Sequence, residues 1–132
     1  MGRVIVLDAG VLIGFLDGSD AHHGAAVALL EEHPTGYLVH PLTAAEILVG
    51  PAKRNIEDQV WHDLRGIGVE VAELGSDEPL ALARLRAQWG LKMPDTCVLA
   101  TAEKYDVSLA TFDRQLAGIA SRAGRLIPDL GS

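Results

Sequence analysis

The sequence predicts an α/β fold, a parallel sheet covered by helices on both faces, and three observations carry that reading. Short apolar runs suited to buried strands recur at Arg3 to Leu7, Tyr37 to His40, Val69 to Ala72 and Val107 to Ala110. Between them lie longer stretches whose apolar residues return every three or four positions, the period of a helix with one buried face. Glycine and proline fall at the joins, where the backbone has to turn. Strands that alternate with helices in this way pair in parallel, because each return to the sheet needs a crossover.

Taken in order, Arg3 to Leu7 is the first strand and Val11 to Leu16 a short helical turn after it. Ser19 or Asp20 caps a helix whose apolar face carries Ala26, Val27 and Leu30, and which Pro34 and Gly36 stop near His33. Tyr37 to His40 is the second strand. Thr43-Ala44-Ala45-Glu46 has the spacing of a capping box and opens a helix that Gly50-Pro51 ends. Asn55 to Arg65 places Ile56, Val60, Trp61 and Leu64 on one helical face, broken by Gly66 and Gly68. Val69 to Ala72 is the third strand. Asp77 caps a helix through Leu80, Leu82, Leu85 and Trp89 that Gly90 terminates. Pro94-Asp95 starts a helix of strong formers from Thr96 to Tyr105, ahead of the strand Val107 to Ala110. Phe112-Asp113 leads into a short helix and a final strand, Arg125 to Ile127.

A chain of 132 residues is expected to form one domain, residues 1–132, with a core that removes about two thirds of its unfolded surface from water. Its hydrophobic share of 48% against 22% charged residues is that of a globular protein, outside the range of disordered chains. The formal net charge of −7 repels polyanions, so any chemistry on phosphate has to be local. The single cysteine, Cys97, excludes an internal disulfide framework and, without neighbours of ligand type, does not suggest a zinc site. It reads as a small buried hydrophobe in a reducing cytosol. The absence of a signal-like start and of about 20 uninterrupted apolar residues predicts a soluble, cytoplasmic protein with no membrane contact.

Most of the 18 acidic residues fall on helix faces, as Glu31, Glu32, Asp58 and Glu103 do, and read as solvated charge. Asp8, Glu46, Asp95 and Asp113 differ, because each stands in an apolar setting: "IVLDAGVLI", "TAAEILVG", "KMPDTCVLATA" and "SLATFDRQL". Asp8 ends the first strand, Glu46 sits in the first turn of a helix, Asp95 opens another and Asp113 follows the strand Val107 to Ala110. Singly, each acid is accounted for by helix capping. Together they reach the rim beyond the carboxyl ends of the strands, where open parallel sheets bind ligands. Four ionised carboxylates at one edge repel one another unless a cation joins them, and oxygen-only sites select Mg²⁺ or Mn²⁺.

With those flanks and in the order Asp, Glu, Asp, Asp, almost the whole chain resembles a PIN-domain ribonuclease of the VapC toxin type. The resemblance implies a three-layer α/β/α sandwich whose acids hold Mg²⁺ or Mn²⁺ and hydrolyse an RNA phosphodiester bond. Carried onto this sequence, the catalytic and metal ligands are Asp8, Glu46, Asp95 and Asp113, and Thr111 is a hydrogen-bond partner of one carboxylate. The same resemblance implies a homodimer and a small antitoxin protein that inserts a segment, often with an arginine, into the acidic site. Ala25 to Leu30 and Ile47 to Gly50 are the stretches expected to meet it, unless they are core. Two departures stand out. Gly10 occupies a position that is often Ser or Asn, and Gln115 and Leu116 replace a further acid found in some members, which bears on a second metal ion. Metal-assisted hydrolysis of this kind predicts 5′-phosphate and 3′-hydroxyl ends.

Lys92 and Arg114 flank two of the acids and are candidates for substrate phosphate or for partial neutralisation of the cluster. Lys53 and Arg54 read as a solvated helix start ahead of contact with RNA or a partner. His22, His23, His33, His40 and His62 lack metal-ligand spacing and read as surface or capping residues. Trp61, Trp89 and Phe112 read as core or interface ahead of base stacking. The competing classes are a phosphoryl-receiver-like module, an aspartyl phosphatase and a non-catalytic binding module that keeps the acidic metal site. A receiver calls for paired acids after the first strand and a late lysine, and the phosphatase for a second acid where Gly10 stands.

Overall fold

A computed structural model describes residues 4–128. Its sheet has four parallel strands, β1 (Ile5–Leu7), β2 (Tyr37–Val39), β3 (Val69–Val71) and β4 (Leu109–Ala110), in the order β3-β2-β1-β4. Ile5 pairs with Tyr37, Val6 with both Leu38 and Leu109, and Leu38 with Glu70. The chain runs outward from β1 to β3 and then returns to the other side of β1. The strand order therefore reverses between β1 and β4, which is where the crevice of an open α/β sheet forms.

Alternation along the strands sorts the core into two halves. Ile5, Leu7, Tyr37, Val39 and Val69 point to one face and pack with α1 (Ala9–Leu16), α2 (His23–Glu32), α3 (Pro41–Lys53) and α4 (Glu57–Gly66). Val6, Leu38 and Leu109 point to the other and pack with α6 (Met93–Tyr105) and α7 (Arg114–Arg122). The result is the expected α/β/α sandwich. Helix α5 (Glu78–Trp89) has no fully buried residue and lies outside α6, with Leu85 and Trp89 half-covered against the second cluster. Cys97 is buried, and Trp61 packs against the first cluster.

Several boundaries differ from those the sequence suggests. Helix α3 starts at Pro41, because His40 is its N-cap: the Nδ1 atom accepts the Leu42 N–H at 3.0 Å. Thr43 is consequently inside the helix, buried, and Glu46 moves from the first turn to the second, so no capping box forms. With Nδ1 accepting, the imidazole proton lies on Nε2, which faces the Glu78 carboxylate and ties α5 to the rim of the sheet. Gly50-Pro51 does not end α3. Proline is accommodated in the final turn, and termination falls to Asn55, whose φ of 58° is left-handed, with the Ile56 N–H returning to the Pro51 carbonyl. Lys53 and Arg54 are thus the C-terminal end of α3, where cations suit the helix dipole.

Ser19 and Asp20 do not cap α2. Ser19 bonds to Asp17, and Asp20 Oδ1 accepts the His22 N–H at 2.8 Å, so these acids shape the loop and the helix begins at His23. The final strand reduces to one bridge, Leu126 to Leu109. Arg3, assigned to the first strand by sequence, lies outside the described residues. Among the described residues no helix is long and apolar enough to cross a membrane.

Candidate active site

The two elements at the switch point each end in a carboxylate, and one hydroxyl joins them. Asp8 follows β1 and caps α1, its Oδ1 accepting the Ala9 N–H at 2.8 Å. Its Oδ2 accepts the Thr111 hydroxyl at 2.6 Å. Thr111 Oγ1 in turn accepts the Asp113 N–H at 3.0 Å, and Asp113 caps α7 by accepting the Leu116 N–H at 2.9 Å. Burial pushes the Asp8 carboxyl above the usual range. The Thr111 and Ala9 hydrogen bonds work against that rise, and the nearby Asp113 charge adds to it.

Asp95 arrives from α6. Lys92 is the N-cap and Pro94 stands in the first turn, so the carboxylate projects from the first turn into the space above the sheet. Asp95 is only 4% exposed, and its Oδ2 is buried without a hydrogen-bond partner. The Lys92 ammonium stands 4.0 Å from that oxygen but is itself largely in water. Burial first, and then the charges of Asp8, Asp113 and Glu46, push the Asp95 carboxyl up to about 6, against the pull of Lys92. Glu46 comes from the second turn of α3.

These four acids line one open cleft of about 390 Å³ together with Lys92, His22 and Phe112. The convergence predicted from sequence is therefore present, with Lys92 beside it. Arg114 is not: it begins α7 as an exposed residue and does not line the cleft. Gly10 does line it, and adds no polar group. Phe112 belongs to the cleft as well as to the edge of the core, and His22 is a cleft residue that sequence reading missed. Phe112 could have been flagged by its place between Thr111 and Asp113. His22 carried no signal, because its position depends on how the loop before α2 folds. Of the stretches expected to meet a partner, Ala26, Leu29 and Leu30 are core, whereas Val49 and Gly50 are exposed.

Among the described residues, no three His, Cys, Asp or Glu side chains close into a ligand cage. The carboxylates surround open space instead, which suits a hard cation that keeps several waters. Two features fit such an ion: an all-oxygen donor set, and the buried Asp95 Oδ2, which no hydrogen bond satisfies and which only the solvated Lys92 ammonium faces.

Acidic side chains gathered at the switch point of a parallel sheet place the chain among open α/β proteins whose site lies beyond the carboxyl ends of the strands. More narrowly, the chain belongs to the PIN domain family, whose profile matches residues 5–121. Ribonuclease activity and the use of divalent metals are typical of that family. Among solved structures the chain is similar to a protein in a toxin–antitoxin complex from Klebsiella pneumoniae, with a TM-score of 0.74 and 27% identity, covering 87% of this chain and 92% of that one. It is also similar to VapC20 of Mycobacterium tuberculosis, a sarcin-ricin loop cleaving toxin, with a TM-score of 0.72 and 20% identity over 92% of this chain and 96% of that one. A third is FitAcB from Neisseria gonorrhoeae, with a TM-score of 0.68 and 19% identity over 89% and 94%. No curated protein is matched.

Proposed function

We propose that this protein is a Mg²⁺- or Mn²⁺-dependent endoribonuclease and the toxin of a VapBC-type pair, acting in the cytoplasm as a single domain. The observation that carries the reading is the buried Asp95 oxygen that no hydrogen bond satisfies, among three other carboxylates in one cleft. Asp8, Glu46, Asp95 and Asp113 would hold the ion. A bound divalent cation supplies a water of lowered pKa and a counter-charge for the phosphate. Thr111 favours the ionised form of Asp8 and aims it by donating to Oδ2, and fixes Asp113 through its N–H. Lys92, exposed on the same cleft, offers the substrate phosphate a cation beside the acids. None of these steps needs a serine, cysteine or histidine nucleophile.

A small antitoxin has a place to bind. A groove of about 290 Å³ between α1 and α3 is lined by Ile13, Leu16, Ile47, Gly50 and Arg54 and runs up to Glu46. Ile13 and Leu16 are 40% and 39% exposed, an apolar strip continuous with the acidic cleft. An apolar segment laid there brings a basic side chain to the carboxylates. A homodimer completes the proposal and is read by sedimentation.

The direct test incubates purified protein with assorted RNAs, with and without Mg²⁺ or Mn²⁺. Cleavage leaving 5′-phosphate ends is expected, lost in chelator and reduced by at least about 100-fold in Asp8→Asn and in Asp95→Asn. Metal-dependent cleavage that survives both substitutions excludes the assignment.

A further inference from the structure

His22 and Phe112 line the same cleft as the carboxylates, and their rings are stacked with centroids 4.6 Å apart and planes 15° from parallel. Phe112 is held in place by its neighbours in sequence, since Thr111 grips Asp8 and Asp113 caps α7. Its backbone is therefore fixed by the same hydrogen bonds that hold the carboxylates. His22 is fixed through its backbone, whose N–H donates to Asp20 Oδ1. It stands at the N-cap position of α2, yet its ring makes no capping hydrogen bond and 56% of the side chain is exposed. Phe112 covers one face of the imidazole, while more than half of the side chain remains in water.

A flat ring so placed does little for the fold. It neither caps the helix nor joins the core, and it stays largely in water beside the acids. Any nucleobase can stack on such a ring whatever its sequence, provided it is unpaired, because a duplex hides the faces of its bases. We propose that the His22–Phe112 pair is the stacking platform for one unpaired base adjoining the phosphate in the cleft. This inference rests on the ribonuclease reading for its ligand. The ring pair supplies the base contact and Lys92 the backbone contact, which divides recognition between a sequence-tolerant surface and a charge.

The test uses the full chain and a short single-stranded RNA carrying 2-aminopurine at successive positions, with Ca²⁺ in place of Mg²⁺. Stacking quenches the 2-aminopurine fluorescence. Quenching at one position is expected with the wild type, lost in His22→Ala and restored in His22→Phe, with affinity falling about 10-fold in the alanine variant. An oligonucleotide abasic at that position should bind the wild type and His22→Ala equally. Quenching unchanged by His22→Ala, equal wild-type affinity for intact and abasic RNA, or no binding of the oligonucleotide overturns the proposal. The nuclease reading is judged separately, by cleavage of unlabelled RNA in Mg²⁺. His22-dependent quenching without cleavage sinks that reading and leaves the platform standing, and the reverse pattern does the opposite.

Discussion

Asp95 is where binding and stability oppose each other. Its carboxyl is raised from 3.8 to about 6, so between those values the folded chain holds a proton that the unfolded chain has released. Stability contributed by this group is therefore complete below about pH 4 and lost as the pH climbs toward 6. Metal-free Asp95→Asn should thus unfold at a higher temperature than the wild type at pH 7.5 and at nearly the same temperature at pH 4, measured by thermal melts in chelator. The same proton competes with a cation, so Mg²⁺ affinity should fall steeply as the pH drops through 6, read by titration calorimetry. Thr111 works the other way on Asp8. Thr111→Val should cost roughly 10- to 100-fold in Mg²⁺ affinity or activity, with Thr111→Ser retaining most of it.

Helix starts and stops set how the acids meet. His40 caps α3 with one ring nitrogen and faces Glu78 with the other, so His40→Ala removes a cap and leaves a half-buried carboxylate unpaired. A loss of about 2 kcal/mol is expected in denaturant melts. Asn55→Gly should be neutral or stabilising and Asn55→Ala destabilising by about 1 kcal/mol, as a left-handed terminator requires. The strands, the helix order and the four acids were legible from apolar periodicity and from carboxylates in greasy surroundings, because both are local patterns that survive folding unchanged. The α3 cap was not, since a histidine ahead of a proline outcompeted Thr43 for a reason visible only once β2 delivered His40 to the rim. His22 was illegible for a related reason: its partner, Phe112, is ninety residues away, and ring stacking leaves no periodicity in the chain.

On the scale of the molecule, a net charge of −7 and a cleft walled by acids work against an RNA ligand at long range. With Lys92 the cation on the cleft, few counterions are released from the RNA on binding. KM for a single-stranded substrate should change less than about threefold between 50 and 200 mM monovalent salt, measured by steady-state cleavage. A basic groove would give a much steeper dependence. The sheet order has one more consequence. β4, the last of the strands along the chain, inserts beside β1, the first, and brings Thr111 and Asp113 with it. A polypeptide still emerging from the ribosome carries three of the carboxylates with neither the fourth nor its hydroxyl brace. On the nuclease reading, the nascent protein is harmless to the transcript that encodes it until that closing strand docks.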